Sequence, residues 1–232
     1  MKNYIKYLKL VLGIIVLITF EAFAAPNNSP AVTVGFIMKA VQTVDYREFN
    51  NTDWEDAKIG TTLKSGDEVK TGLRSLAIIK FKDNSLLRVR EKSLVTIFGD
   101  QQRKKVDKNT EIKSGTLGFD VTKQSGEEFK FTTPTMVASI KGTSGYFKVI
   151  DSKTFLFLES GIIEIESTVG VKEKVTLTAG NTATVGMDGI VLVSKASADD
   201  YSESEAVKST KTTRVLIRTS SDEEYILEYL EK

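Results

Sequence analysis

Alternation of apolar and polar residues with a period of two dominates the chain from residue 32 to residue 193. Short runs such as residues 76–81 and 129–132 are rich in β-branched and aromatic residues, and Gly, Asp, Asn and Ser bound them. This composition is typical of short β-strands joined by tight turns. The 3.6-residue period of an amphipathic helix is hardly present before residue 195. The pattern therefore predicts an all-β domain of many short strands.

A small-residue-plus-glycine segment recurs four times, which indicates a degenerate repeat. The four copies are KSGD at residues 64–67, KSGT at 113–116, ESGI at 159–162 and TAGN at 178–181. Short strands cannot bury a face alone, whereas layers of them can, and glycine provides backbone at a corner that a side chain would obstruct. Because the spacing is irregular, a strictly periodic β-helix is disfavoured. A β-solenoid-like fold and a rolled β-sandwich both fit.

The amino-terminal 24 residues are predicted to be a secretory signal peptide. Three lysines precede an apolar stretch over residues 10–20, and Ala22 and Ala24 occupy the positions that a signal peptidase recognises. The stretch is shorter than the roughly 20 residues of a membrane-spanning helix. We expect cleavage near Ala24 and a short mobile lead over residues 25–31. An uncleaved membrane anchor is the alternative.

After the β domain, assigned to residues 32–193, the chain becomes polar. Residues 194–211 hold few large apolar side chains, which predicts a polar linker or at most one surface helical turn. Residues 212–232 contain two apolar runs around a turn. These favour a β-hairpin, while the acidic residues 222–224 would equally suit a helix start.

The net charge and the absence of two residue types limit the classes of function that this chain could have. Removing residues 1–24 leaves 29 basic and 30 acidic residues, so bulk charge gives no reason to expect a nucleic-acid partner. The chain has no Cys and no His. Disulfides, the usual zinc and copper sites, and Ser-His or Cys-His catalysis are thereby excluded. We expect no enzyme activity, no metal and no cofactor.

Two groups of residues, in order, resemble the motif of the FecR domain. The first contains Gly66, Asp67, Thr71, Gly72, Ser75, Asp83 and Ser85. The second contains Thr133, Pro134, Lys141, Gly142 and Thr143. Lys141 stands where the family usually has Arg, which keeps the charge but loses a planar fork of donors. We interpret these residues as structural, and Lys141-Gly142-Thr143 as a tight turn rather than a phosphate loop.

The resemblance spans residues 32–193 and implies a periplasmic domain that binds a protein. The family's best-known members pass a signal from a TonB-dependent receptor to a sigma factor through one membrane helix and a cytoplasmic segment. The predicted signal peptide instead indicates an exported form without that segment, periplasmic or secreted, with no integral span in the mature chain. A membrane-anchored regulator of the anti-sigma type is the alternative.

Side chains on the predicted strands offer further hypotheses. Lys80, Lys82, Arg88 and Arg90 form a candidate interaction face for an anionic partner, with an ordinary solvated sheet face as the alternative. If residues 83–85 close a hairpin, Lys80 comes opposite Arg88. Trp54 and most aromatic residues are expected in the core. A few aromatics could line a groove, so a cell-wall or polysaccharide partner is a third hypothesis beside a protein partner in the cell envelope.

Overall fold

The computed structural model describes residues 32–102, 105–123, 126–220 and 223–230. The predicted signal peptide and mobile lead lie outside these residues. Nineteen strands and one helix, α1, are formed within them. The strands are β1 Thr33–Val41, β2 Val44–Arg47, β3 Glu55–Asp56, β4 Thr62–Lys64, β5 Asp67–Thr71, β6 Leu76–Phe81, β7 Leu86–Val89, β8 Leu94–Gln102, β9 Lys105–Asp120, β10 Phe129–Thr132, β11 Met136–Ile140, β12 Ser144–Ile150, β13 Lys153–Ser160, β14 Ile162–Ser167, β15 Lys174–Thr178, β16 Asn181–Val185, β17 Val191–Lys195, β18 Thr212–Arg218 and β19 Glu224–Leu230; α1 is Ala198–Lys208.

Strand pairing produces two sheets that share one long strand. Sheet A has the order β4-β1-β6-β7-β9-β12-β13-β16-β17. Sheet B has the order β3-β2-β5-β8-β9-β10-β11-β14-β15. The first part of β9, up to Ser114, pairs in sheet B, and the part from Gly115 onward pairs in sheet A. Of the two predicted architectures, the pairing corresponds to the rolled β-sandwich.

The four repeated glycines lie where the chain passes between the sheets. All four have positive φ: Gly66 +96°, Gly115 +93°, Gly161 +88° and Gly180 +77°. The chain moves from sheet A to sheet B at Gly66 and Gly161, and from sheet B to sheet A at Gly115 and Gly180. Side chains disfavour such φ values, so glycine is the residue suited to these corners. The repeat is thus a recurring corner of the sandwich.

One hydrophobic core fills the space between the sheets. Phenylalanine rings from both sheets meet at its centre, with centroid separations of 5.2 Å for Phe81–Phe129 and 5.1 Å for Phe119–Phe131. Phe147 adds a third contact at 5.0 Å from Phe131. All five rings are buried, and the surrounding cluster contains inward residues from both halves of the chain. The predicted burial of most aromatics is observed at these positions.

Part of the outer face of sheet A, over β9, β12 and β13, is covered by α1. This 11-residue helix corrects the prediction of a polar linker. Ser197 caps its amino end through a reciprocal pair of hydrogen bonds with Asp200, and this local signal outweighs the scarcity of apolar residues. Val207 packs against the buried rings of Tyr146 and Phe157. An exposed aromatic groove is therefore not formed there. Within the described ranges, no helix has both the length and the hydropathy that crossing a membrane requires.

The carboxyl-terminal segment forms a hairpin of β18 and β19, one of the two predicted alternatives. Leu230 at its base packs on a small apolar cluster of Val41, Leu76 and Ile78 on sheet A. The side-chain amide of Gln42 also donates to the backbone carbonyl of Glu228 at 2.6 Å. The base of the hairpin is thus fastened to the sandwich.

Candidate functional site

The Gly66-Asp67 pair of the family motif builds the corner between β4 and β5. The carboxylate of Asp67 is buried and accepts hydrogen bonds from the backbone amides of Lys64 at 2.8 Å and Phe49 at 3.0 Å. Burial raises the pKa of Asp67, and the two hydrogen bonds oppose that rise only in part. These contacts give Asp67 a local structural role.

Buried hydroxyl groups fasten the next two corners. Thr71 Oγ1 accepts from the amide of Ser93 at 3.0 Å. Ser75 Oγ accepts from the amide of Thr43 at 3.1 Å and donates to the carbonyl of Leu73 at 3.0 Å. A side chain at Gly72 would come within 3.0 Å of Thr43 Cβ. The motif residues hold neighbouring turns against one another.

The Asp83-Asn84-Ser85 turn closes the β6–β7 hairpin and anchors a buried lysine. One carboxylate oxygen of Asp83 accepts from the amide of Ser85 at 3.0 Å, and the other lies 3.2 Å from the ammonium group of Lys108. Glu127 is a second partner of that ammonium group at 2.8 Å. Paired in this way, the buried charge of Lys108 links sheet B to the turn.

Thr133, of the Thr-Pro pair, belongs to a buried hydroxyl network. Its Oγ1 accepts from Thr154 Oγ1 at 2.7 Å and from the amide of Met136 at 3.1 Å. Thr135 Oγ1 lies 2.8 Å from Thr154 Oγ1 and 3.1 Å from the carbonyl of Val185. Pro134 is exposed. The network joins the β10–β11 turn to sheet A.

Lys141-Gly142-Thr143 forms a tight turn between sheets B and A. Gly142 has a φ of +66°, and the carbonyl of buried Thr143 accepts from the amide of Val121 at 2.9 Å. Lys141 is exposed and forms no ion pair among the described residues, so the structure gives it the place of a turn residue at the surface.

The four basic residues proposed as one interaction face have separate surroundings. Lys80 pairs with Leu86, and Arg88 with Ile78, so the expected Lys80–Arg88 pair was wrong. Arg88 forms a salt bridge with Asp120. Arg90 donates to the carbonyl of Ser209 at 2.8 Å, at the end of α1, and burial lowers its pKa. Two of the four cations thus support the fold, while Lys82 is exposed in the turn.

Trp54 lies half-buried at the surface and not in the core, which corrects the prediction for this residue. The guanidinium of Arg47 lies 4.6 Å from its ring centre, and the ammonium group of Lys70 lies 4.2 Å from it. Arg47 and Lys113 both pair with Glu68. The cations attract the π-face and account for the placement of the tryptophan at the surface.

An exposed apolar surface is instead found on the β18–β19 hairpin. Strand register places four large residues on one face, which we name the apolar hairpin face: Val215 and Ile217 on β18, and Tyr225 and Leu227 on β19. Their exposed fractions range from 39% to 53%. Since successive residues of a strand point to opposite faces, all four project to the same side.

The opposite face of the hairpin has a different character. Arg214 and Arg218 form ion pairs with Glu228 and Glu224 across the two strands. Leu216 and Ile226 lie between these pairs and are 57% and 68% exposed. The pKa of Glu228 is lowered, mainly because its carboxylate accepts a hydrogen bond from Thr212. The two faces therefore differ in charge: the opposite face combines two exposed apolar side chains with ion pairs, whereas the apolar hairpin face has four large apolar side chains and no ion pair among the described residues.

A cleft of about 910 Å³ lies between α1 and the base of the hairpin. Its walls include Lys92, Thr116, Asp151, Glu205 and Lys211, so both signs of charge are represented. Sequence reasoning missed this cleft and the apolar hairpin face because both depend on where the carboxyl-terminal segment packs. The period-two alternation of residues 213–217 was the one signal available.

Fold and surface together define an all-β sandwich domain with an exposed apolar hairpin. Residues 67–164 match the protein family described as FecR protein. The resemblance predicted from the sequence is confirmed over these residues. The comparison with curated proteins gives no match.

Solved structures with a similar fold include two crystal structures, at 1.65 and 2.50 Å resolution, of a candidate anti-sigma factor from Parabacteroides distasonis ATCC 8503. Each has a TM-score of 0.50 and 14% identity to this chain, and covers 58% of this chain and 62% of that one. The match spans less than two thirds of that protein's length, and at this identity it shows a shared fold only.

Proposed function

We propose that this chain is an exported, non-catalytic FecR-domain protein that binds a protein partner of the cell envelope through the apolar hairpin face. The observation that carries the proposal is the exposure of four large apolar side chains on one face of a two-stranded hairpin. The absence of His and Cys from the chain supports a role in binding rather than in chemistry.

The hairpin has the properties of a surface that a partner covers. An isolated two-stranded hairpin is only marginally stable in water, and burying one apolar face stabilises it. Here the base is fastened through Leu230, whereas the apolar hairpin face is exposed. Contiguous exposed apolar patches of this kind typically mark interaction sites.

Two neighbouring substitutions test the proposal. Ile217→Asp places a charge on the apolar hairpin face, and Leu216→Asp places the same charge on the opposite face of the same strand. Cells carrying either variant are treated with a crosslinker, and the partner is recovered with the full chain. We expect Ile217→Asp to reduce recovery of the partner by at least about tenfold and Leu216→Asp to leave it nearly unchanged. Equal losses in both variants would contradict the assignment of this face.

A membrane-anchored regulator is the second candidate function, and the fold shared with a candidate anti-sigma factor favours it. The two candidates differ in the state of residues 1–24. Intact mass and cell fractionation of the protein from its host distinguish them. A mature chain beginning at Ala25 outside the membrane supports the exported module, and a full-length chain in the inner membrane supports the anchored regulator.

A further inference from the structure

We propose that β17 pairs in antiparallel fashion with β17 of a second copy of this chain, about a two-fold axis at Val193. β17 lies at the edge of sheet A opposite β4, and no residue of the β18–β19 hairpin takes part in this pairing. It holds or fails independently of the proposed function.

The two ends of sheet A differ in how their edges are protected. At one end, the edge strand of sheet A is β4, which has three residues. The edge strand of sheet B at that end is β3, which has two residues. At the other end, β17 has five residues and pairs only with β16 among the described strands. The side chains of Ile190, Leu192 and Val193 there are 45%, 65% and 48% exposed. Short edge strands resist pairing with other chains, whereas a longer apolar edge favours it.

Backbone direction along β17 fixes which residues could pair. The amide of Val191 donates to a carboxylate oxygen of Glu173 at 2.9 Å and so points away from β16. Alternation then directs the backbone groups of Val193 and Lys195 away from β16 as well. A two-fold axis at Val193 places Val193 opposite its own copy and Val191 opposite Lys195. In this register the outward amide and carbonyl of Val193 meet those of the second copy, and pairing at Val191 moves the carboxylate of Glu173 from the amide of Val191 to the ammonium group of Lys195 of the second copy.

Charge complementarity selects a second copy as the partner. Glu173 lies at Val191, and the register brings Lys195 of the other copy to this position. Within one copy, Lys195 is four residues along the strand from Val191, about 13 Å at the usual rise per residue. The ammonium group that reaches Glu173 therefore comes from the second copy. Lys195 is the only charged residue of β17, and in this register it does not lie opposite Lys195 of the other copy. The edge is therefore self-complementary.

A charge-reversal cycle tests the pairing. Sedimentation velocity of the full chain over a concentration series gives the dimerisation constant for the parent, Lys195→Glu, Glu173→Lys and the double variant. We expect each single reversal to weaken dimerisation by at least about tenfold and the double variant to restore most of the loss, since it re-forms the pair with opposite polarity. Lys153→Glu, an exposed change of equal charge on the β12–β13 hairpin, should have no effect.

Val193→Pro is a second test of the β17 pairing, and it does not depend on charge. Because the amide of Val193 points away from β16, proline is compatible with the fold but removes the central hydrogen bonds between copies. We expect an unchanged circular dichroism spectrum and loss of the dimer. A parent chain that stays monomeric up to on the order of 100 μM would overturn the proposal. So would a dimer that none of these substitutions weakens, or one that the double reversal fails to restore.

Discussion

At the scale of single residues, the family motif residues mainly satisfy buried polar groups. Thr133 is the clearest case, because its hydroxyl accepts from both Thr154 and the amide of Met136. Thr133→Val keeps the shape but leaves these donors without their acceptor, which should lower the free energy of unfolding by about 1–3 kcal/mol. Urea denaturation measures the change. Thr176→Val, at an exposed site on β15, should change stability by less than about 0.5 kcal/mol.

Glu68 makes stability depend on pH. Burial alone would raise its pKa, but hydrogen bonds from Lys113 and Arg47 outweigh burial and lower the folded-state pKa below the ordinary 4.5. The unfolded chain therefore binds the proton more tightly. The contribution of Glu68 is complete above the ordinary pKa and is lost as pH falls through the lowered folded value.

The matched variant for this prediction is Glu68→Gln, which cannot titrate. Denaturation between about pH 3 and 6 should show the stability advantage of the parent over Glu68→Gln shrinking as the pH falls. Glu164→Gln removes an exposed carboxylate from the same sheet and serves as the control for the same change of charge. An advantage for the parent that grew toward low pH would show that the ion pairs do not lower this pKa.

At the scale of elements, glycine corners determine how the strands pass between sheets. Gly115 and Gly60 have similar φ values, +93° and +90°. A Cβ at Gly115 would lie 2.5 Å from the backbone of Ser93, whereas one at Gly60 would meet nothing within 4 Å. Gly60→Ala should therefore cost about 1–2 kcal/mol, from left-handed strain alone. Gly115→Ala should cost at least about 2 kcal/mol more, measured by urea denaturation. Equal costs would show that the corner tolerates a shift of Ser93.

The same elements show how far the sequence predicts the fold. Strand alternation and the repeated glycines predict the β-rich domain and its corners because these signals are local. The prediction failed at α1, where the Ser197–Asp200 capping pair was present but the helix lacks an apolar stripe. It also failed for Trp54 and for the Lys80–Arg88 pair, since cation placement and hairpin register depend on residues distant in sequence. The apolar hairpin face follows from the register of β18 with β19, which sets Val215 opposite Leu227 and Ile217 opposite Tyr225.

At the scale of the whole molecule, the shared strand β9 and the single core predict one cooperative unit. The phenylalanine contacts cross between the sheets and between the two halves of the chain, so neither half has a separate core. Local damage to one half should consequently destabilise both. A chain of two independent halves would instead unfold in two steps.

Leu177→Ala tests this, because Leu177 is buried on β15 near one end of sheet B, and Trp54, the single tryptophan, lies beside β2 and β5 near the other end. The cavity should lower the free energy of unfolding by about 2–5 kcal/mol. In a cooperative domain, tryptophan fluorescence, which reports the β2–β5 region, and far-UV circular dichroism, which reports all strands, must then shift to the same new urea midpoint. A fluorescence midpoint left at the parent value would show that the two halves unfold separately, despite the shared strand.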